Sequence, residues 1–451
     1  MWRLAIPVLG EQVLVMLVGF VDTGLASRYL EGEAPLAAIG LMAYTLWLIP
    51  SMFSLVSIGA TAVVARHVGA RKIDMATKAT HQALLCGAVV AGAVMFIFGV
   101  AGENFVALLN LEEEAADLAS RYLRYMIPII PAIMVQSVGV SCLRGAGDTV
   151  SGLVAMAVMN AVNVLISISL VLGLGPAPRL GWDGLALGTA IGHVIGALIV
   201  LGLLMAGRAG IRLRPQQMRP DLEMIRRILR VGIPGGVDLL TILTCHLWFL
   251  GIINGLGTVS AAAHSLAIRI ESIAYLPGTA FQVAAATLAG QYLGAKDHDR
   301  AFRGTISALA AGGSLMIGAG FLFYFGGGWL TQIFIRSSTT PAAELTIRLL
   351  RLAALAMPSL AIHMILSGAL RGAGDTRWPF AINLAGLLGV RIPIGIWLAT
   401  ETFDLPLTDV TLHGIGLGAV GAWGAMVADV VLRSALILWR FLHGGWKQTK
   451  V

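Results

Sequence analysis

Apolar runs of roughly 20 residues recur along the whole chain, each long enough to cross about 30 Å of hydrocarbon. Twelve can be marked, at 4–27, 36–64, 79–101, 120–143, 152–173, 184–206, 232–255, 259–288, 304–326, 345–370, 378–400 and 414–439. They must be helices, because barrel strands would be about half as long and would alternate polar with apolar residues. Only 12% of the residues are charged and 57% are apolar. A soluble chain of this length needs a polar shell, with about twice that charged share. The expected fold class is therefore an all-α integral membrane protein with twelve transmembrane helices. The first run starts at Leu4 and continues past Gly19 with no A-x-A site after it, so it reads as the first span and not as a signal peptide.

The positions of Lys and Arg orient these spans. With both termini in the cytoplasm, 21 of the 31 basic residues, Arg3 and Lys450 among them, fall on the cytoplasmic side. Seven, including Arg28 and Arg336, fall on the other side, and Arg269, Arg391 and Arg433 lie inside spans. This is the positive-inside pattern. It accounts for the net charge of +7 without a nucleic-acid partner. The expected location is the cytoplasmic (inner) membrane of a bacterium. Cys86, Cys142 and Cys245 all lie in apolar runs and form no C-x-x-C, so they read as small buried residues.

The chain repeats itself. Leu143-Arg144-Gly145-Ala146-Gly147-Asp148-Thr149 recurs 227 residues later as Leu370-Arg371-Gly372-Ala373-Gly374-Asp375-Thr376. Ile6-Pro7 and Ile233-Pro234 share that offset, as do Pro131 and Pro358. Domain limits follow: an N-terminal lobe of six helices at 1–206, an Arg-rich cytoplasmic linker at 207–231 holding Pro215 and Pro220, and a C-terminal lobe of six at 232–451. An even number of spans per half makes the repeat parallel, with its pseudo-twofold axis along the membrane normal. Two such halves facing a central cleft suit alternating access, the work of a transporter. One chain supplies the whole architecture, so a monomer is expected. In the repeated heptapeptide, glycine shapes a tight turn, while Arg and Asp set charge and cap the next helix.

Ionisable residues inside spans cost about 2.5 kcal/mol or more at mid-span, and so point to function. Asp22, in the outer part of the first span, is the leading candidate to bind a proton or Na⁺; the bland alternative is a carboxylate solvated at the membrane boundary. Glu11 lies eleven residues earlier on nearly the same helix face, and its repeat mate is Asp238. An acid close to the cytoplasmic interface is the plainer reading of Glu11. Asn160 and Asn163, with Ser167 a turn further on, are either cation ligands or inter-helix hydrogen-bonding groups. Gln136 and His363 occupy equivalent positions in the two halves, and with Glu271, Asp238 and Glu11 they are the candidates to line a substrate cavity. Arg269 and Glu271 are two residues apart and point to different faces of their helix. Weaker candidates are His193, His246, His264, Arg391 and Asp429. No Walker, Rossmann, metalloprotease or kinase signature occurs, so neither ATP hydrolysis nor catalysis is expected.

Several motifs together resemble the multidrug and toxic compound extrusion (MATE) family over nearly the full chain. They are Val21-Asp22-Thr23, the repeated LRGAGDT, Ala262-Ala263-His264, Arg269-Ile270-Glu271-Ser272 and Gly290-Gln291-x-Leu293-Gly294-Ala295. The resemblance implies a V-shaped pair of six-helix lobes that exports cationic or amphipathic small molecules in exchange for H⁺ or Na⁺, with membrane lipid around it and no other cofactor. The family's first-span acid maps onto Asp22. Its fifth-span Asn-x-x-x-Asp maps onto Asn163 and Ser167, so the second carboxylate is missing. The NorM-like seventh-span Glu falls near Thr241 or Ile242, and the tenth-span Asp at Leu360. Both acids are absent, which sets the chain nearer the DinF-like branch. It also centres the expected site, a proton or weak Na⁺ site, on Asp22 and Asn163. A lipid or lipid-linked oligosaccharide flippase is the alternative; it would need a strongly cationic cavity.

Overall fold

The structure is a computed structural model. It describes residues 1–32, 34–107, 113–214, 218–334, 340–404, 411–449 and 451. Pro215, Arg336 and Lys450 lie outside the described residues. Six spans of the first half are α1 (Trp2–Tyr29), α2 (Ala34–Met52) with α3 (Ser54–Gly69), α4 (Ile73–Ala107), α5 (Glu113–Met126) with α6 (Ile130–Gly145), α7 (Val150–Leu172) and α8 (Trp182–Met205). The second half has α9 (Leu222–Gly255), α10 (Thr258–Gly294), α11 (His298–Phe334), α12 (Pro341–Gly372), α13 (Arg377–Gly386) with α14 (Ile392–Ala399), and α15 (Gly418–His443). The fold is helical apart from a short hairpin, β1 (Thr402–Asp404) and β2 (Thr411–His413), paired antiparallel with Thr402 opposite His413. The segment expected as the linker, 207–231, carries the first turns of α9, which begins at Leu222.

Among the described residues, nine helices are long and apolar enough to cross a membrane, or ten if the bent pair α2–α3 counts as one. The remaining two of the twelve are α10, which carries Arg269 and Glu271, and α15, which carries Asp429 and Arg433. Three spans are interrupted, each beside proline, which removes an intrahelical donor and clashes with the preceding turn. The α2–α3 pair bends by 44° just after Pro50. A 3₁₀ turn over Ile127–Ile129 joins α5 to α6, next to Pro131. A five-residue π segment, Leu387–Arg391, joins α13 to α14 just before Pro393. Large apolar side chains point outward: Val89 is 75% and Phe325 78% exposed. A water-soluble chain would cover them; lipid solvates them.

The chain forms two compact units. Apart from the two terminal residues, one comprises Trp2–Gly236 and Gly294–Lys296; the other comprises Val237–Leu293 and Asp297–Lys450. Within the first, α7 packs on α8 and on α1, and α3 packs on α6. Within the second, α12 packs on α11 and α15, and α14 packs on α15.

The heptapeptide folds the same way in each unit. Asp148 N–H donates to the Leu143 carbonyl and Gly147 N–H to that of Arg144; Asp375 and Gly374 repeat both bonds to Leu370 and Arg371. This double closure needs a left-handed residue, supplied by Gly147 at φ 93° and Gly374 at φ 88°. Asp148 then caps α7, accepting from Ser151 N–H at 3.0 Å and Ser151 Oγ at 2.7 Å. Burial alone would raise the Asp148 carboxyl, but these bonds and Arg208 outweigh it and hold it below its usual range. The arginines differ from the charge-setting role read from the sequence. Arg144 turns inward to Glu11, and Arg371 turns inward to Asp238.

Candidate functional site in the N-terminal unit

The polar residues of α1, α6, α7 and α8 converge on a cavity of about 580 Å³ within the first unit. Most of its wall is apolar. Its polar lining includes Glu11, Asp22, Gln136, Arg144, Asn160 and His193. One turn of α-helix returns a side chain to its own face every 3.6 residues. Glu11 and Asp22, three turns apart, therefore both reach the cavity from α1.

Asp22 is only 4% exposed, and its Oδ1 accepts no hydrogen bond. Asn160, 5% exposed, leaves both amide atoms without a partner. Asn163 lies deeper: its Nδ2 donates to Thr189 Oγ1 at 2.9 Å, while its Oδ1 is unpartnered. Ser167 Oγ is likewise buried and unpartnered. Thr189 is a hub, accepting also from Tyr122 OH at 3.1 Å and donating to the Leu185 carbonyl at 3.2 Å. Buried polar atoms are normally satisfied. Several unpartnered oxygens, one of them a carboxylate oxygen, fit a small cation or proton. Among the described residues, no group of three or more His, Cys, Asp or Glu side chains is placed to hold a metal ion. Any Na⁺ at Asp22 would rely on amide and hydroxyl oxygens beside that carboxylate, since the cavity's other acid, Glu11, is paired with Arg144.

At one side of the cavity, Gln136 is tied to α8, its Nε2 donating to the His193 carbonyl at 2.6 Å and its Oε1 meeting His193 Nδ1 at 3.0 Å. Elsewhere in the lining, Arg144 donates to Glu11 Oε2, leaving Glu11 Oε1 without a partner. Thus Asp22, Asn160, Gln136 and Glu11 share one cavity, with Asn163 behind Thr189.

Asp238, Glu271 and His363 sit instead in the second unit, in a buried polar network. Arg371 Nη2 donates to Asp238 at 2.5 Å and Asn383 Nδ2 donates at 2.8 Å. Arg433 holds Asp429 through Nε and Nη2, at 2.7 and 2.6 Å, and donates to Asn383 Oδ1 at 3.1 Å. Arg391 reaches the same Asp429 at 2.9 Å from the π segment. His363 Nε2 lies 3.4 Å from Arg433. Glu271 is buried within electrostatic reach of Arg391, while Arg269 is exposed. Sequence reasoning missed Arg144, Arg433, Tyr122 and Thr189 as parts of these assemblies.

The comparisons with known proteins agree with this architecture. A probable multidrug resistance protein NorM of Thermotoga maritima is 28% identical over 100% of this chain and 93% of its own length. The solved outward-facing multidrug resistance MATE family transporter of the MOP superfamily superposes with a TM-score of 0.88 at 19% identity, covering 99% of this chain and 96% of that one. A MOP superfamily transporter from Pyrococcus furiosus, described as having a binding pocket of reverse polarity, superposes at 0.87 with 20% identity over 99% and 96% of the two chains. The MatE family model matches residues 7–169 and again 234–397, one match in each half. The chain therefore belongs to the MatE family, whose members are membrane transporters and not enzymes.

Proposed function

We propose that this chain exports cationic or amphipathic small molecules in exchange for protons, with Asp22 as the carboxylate that alternates between ion and cargo. The observation that carries this reading is Asp22 itself, a buried acid with an unpartnered oxygen in the wall of a largely apolar cavity. Such a carboxylate draws in a positive partner, because an uncompensated charge away from water is costly. A proton satisfies it and leaves the cavity neutral. A cationic drug satisfies it while its apolar body covers the cavity wall. The two compete, and competition between states of different affinity couples their movements. Pro7, Pro131 and the glycines of α1 offer places for bending. Asn160, Asn163 and Ser167 would orient the bound ion, and Na⁺ is the second ion that this oxygen-rich surround supports.

The absence of acids at Thr241, Ile242 and Leu360 supports the DinF-like assignment, with ion chemistry in the first unit. The positive-inside bias supports an inner-membrane protein with both termini in the cytoplasm. A monomer suffices for this cycle. For a flippase, the N-terminal cavity has the wrong balance, with Glu11 and Asp22 against one cation, Arg144.

The test is ethidium efflux from vesicles with pH and Na⁺ gradients imposed separately. Wild-type efflux should follow the pH gradient, and Asp22→Asn should lose it. Unaltered efflux in Asp22→Asn, or efflux with neither gradient, would overturn the reading.

A further inference from the structure

A second cavity, of about 450 Å³, lies in the same unit but away from Asp22, between the start of α4 and the segment leading into α9. The sequence builds it by alternation. Ile211 and Leu213 are buried, at 0% and 6% exposure, so the extended chain turns Arg212 and Arg214 outward on the other side. Both arginines line the cavity, with Arg219 from the same segment and Lys78 from α4. The segment is fastened to α4 by two buried side chains. His81 Nε2 accepts from Arg214 N–H at 3.1 Å, which leaves that ring nitrogen unprotonated. Gln82 donates to the Arg219 carbonyl at 2.8 Å and accepts from Asp221 N–H at 3.0 Å.

The charges in this cavity do not balance. Lys78, Arg212, Arg214 and Arg219 face two carboxylates, Asp74 and Asp221, and Asp221 is already paired with Lys78. Three arginines lining one cavity supply the side chains suited to forked recognition of phosphate oxygens. Lys78 immediately precedes the apolar run at 79–101, so the cavity lies at the boundary between hydrocarbon and water. Apolar side chains stand open beside it: Ile73, which also lines the cavity, is 38% exposed, and Leu222, next to Asp221, is 80% exposed. We infer that this cavity binds a phosphate-bearing anion. The exposed apolar neighbours favour an anionic phospholipid headgroup, its acyl chains lying against Ile73 and Leu222. The inference is independent of the transport reading, since none of these residues lines the Asp22 cavity.

The experiment is thermal unfolding of the purified full-length chain in neutral detergent, with phosphatidylglycerol, phosphatidylcholine or inorganic phosphate added, backed by native mass spectrometry of retained lipid. Phosphatidylglycerol should raise the wild-type midpoint by several degrees where phosphatidylcholine does not. In the triple variant Arg212→Gln/Arg214→Gln/Arg219→Gln that shift and the retained phosphatidylglycerol should fall to less than half. A shift given by inorganic phosphate, lost in the same variant, would assign the site to a soluble phosphate. If the triple variant does not fold, each single variant carries the test, with a partial loss expected. An equal phosphatidylglycerol shift in wild type and variants, or no shift with any anion, overturns the inference.

Discussion

Arg371 on α12 donates to Asp238 on α9 at 2.5 Å, and the carboxylate it meets is 0% exposed. The two are 133 residues apart, the same separation as Arg144 and Glu11 in the first half. Each lobe thus pins its entry helix to the end of its fourth span by one inward ion pair. Removing one partner strands the other charge, at a cost of about 3–5 kcal/mol. Arg371→Gln should therefore lower the thermal unfolding midpoint sharply, and Arg371→Gln/Asp238→Asn should recover much of the loss. A double variant as unstable as the sum of the single variants would contradict the pairing.

Close helix packing makes a second prediction. A Cβ at Gly372 would lie 2.0 Å from the Ala286 carbonyl oxygen, a backbone atom that cannot step aside. Gly372→Ala should cost about 1–3 kcal/mol, the usual range for overpacking. At Gly251 a Cβ meets nothing within 4 Å. Gly251→Ala should leave the unfolding midpoint unchanged. Equal behaviour of the two variants would refute the argument.

The two asparagines of α7 should separate stability from transport. Asn163→Leu removes a bond to Thr189 and should cost about 1 kcal/mol in thermal stability. Asn160→Leu removes no hydrogen bond to the protein, so it should fold as well as wild type while slowing ethidium efflux. An Asn160→Leu protein with wild-type efflux would take Asn160 out of the ion's surroundings.

Much of this fold is written plainly in the sequence. Span length shows twelve helices, and the repeated heptapeptide shows two halves. The breaks are harder to read: Pro50 is visible, but a proline signals only that a helix can bend, not by how much. Arg144 looks like an ordinary boundary cation because its partner is 133 residues away. The one signal that would have exposed it is that Glu11 and Asp238 recur at the same offset as Arg144 and Arg371. Tyr122 and Thr189 carry no charge at working pH, so nothing sets them apart until α5 and α8 bring them together. Asp22 stood out because carboxylates inside apolar runs are rare.

The central claim is that cargo displaces a proton from Asp22. The direct measurement is proton release when ethidium is added to the purified protein in weakly buffered, sodium-free detergent solution. Wild type should release protons as ethidium binds, and Asp22→Asn should release none. Equal release by both proteins, or binding to wild type with no release at all, would contradict the account.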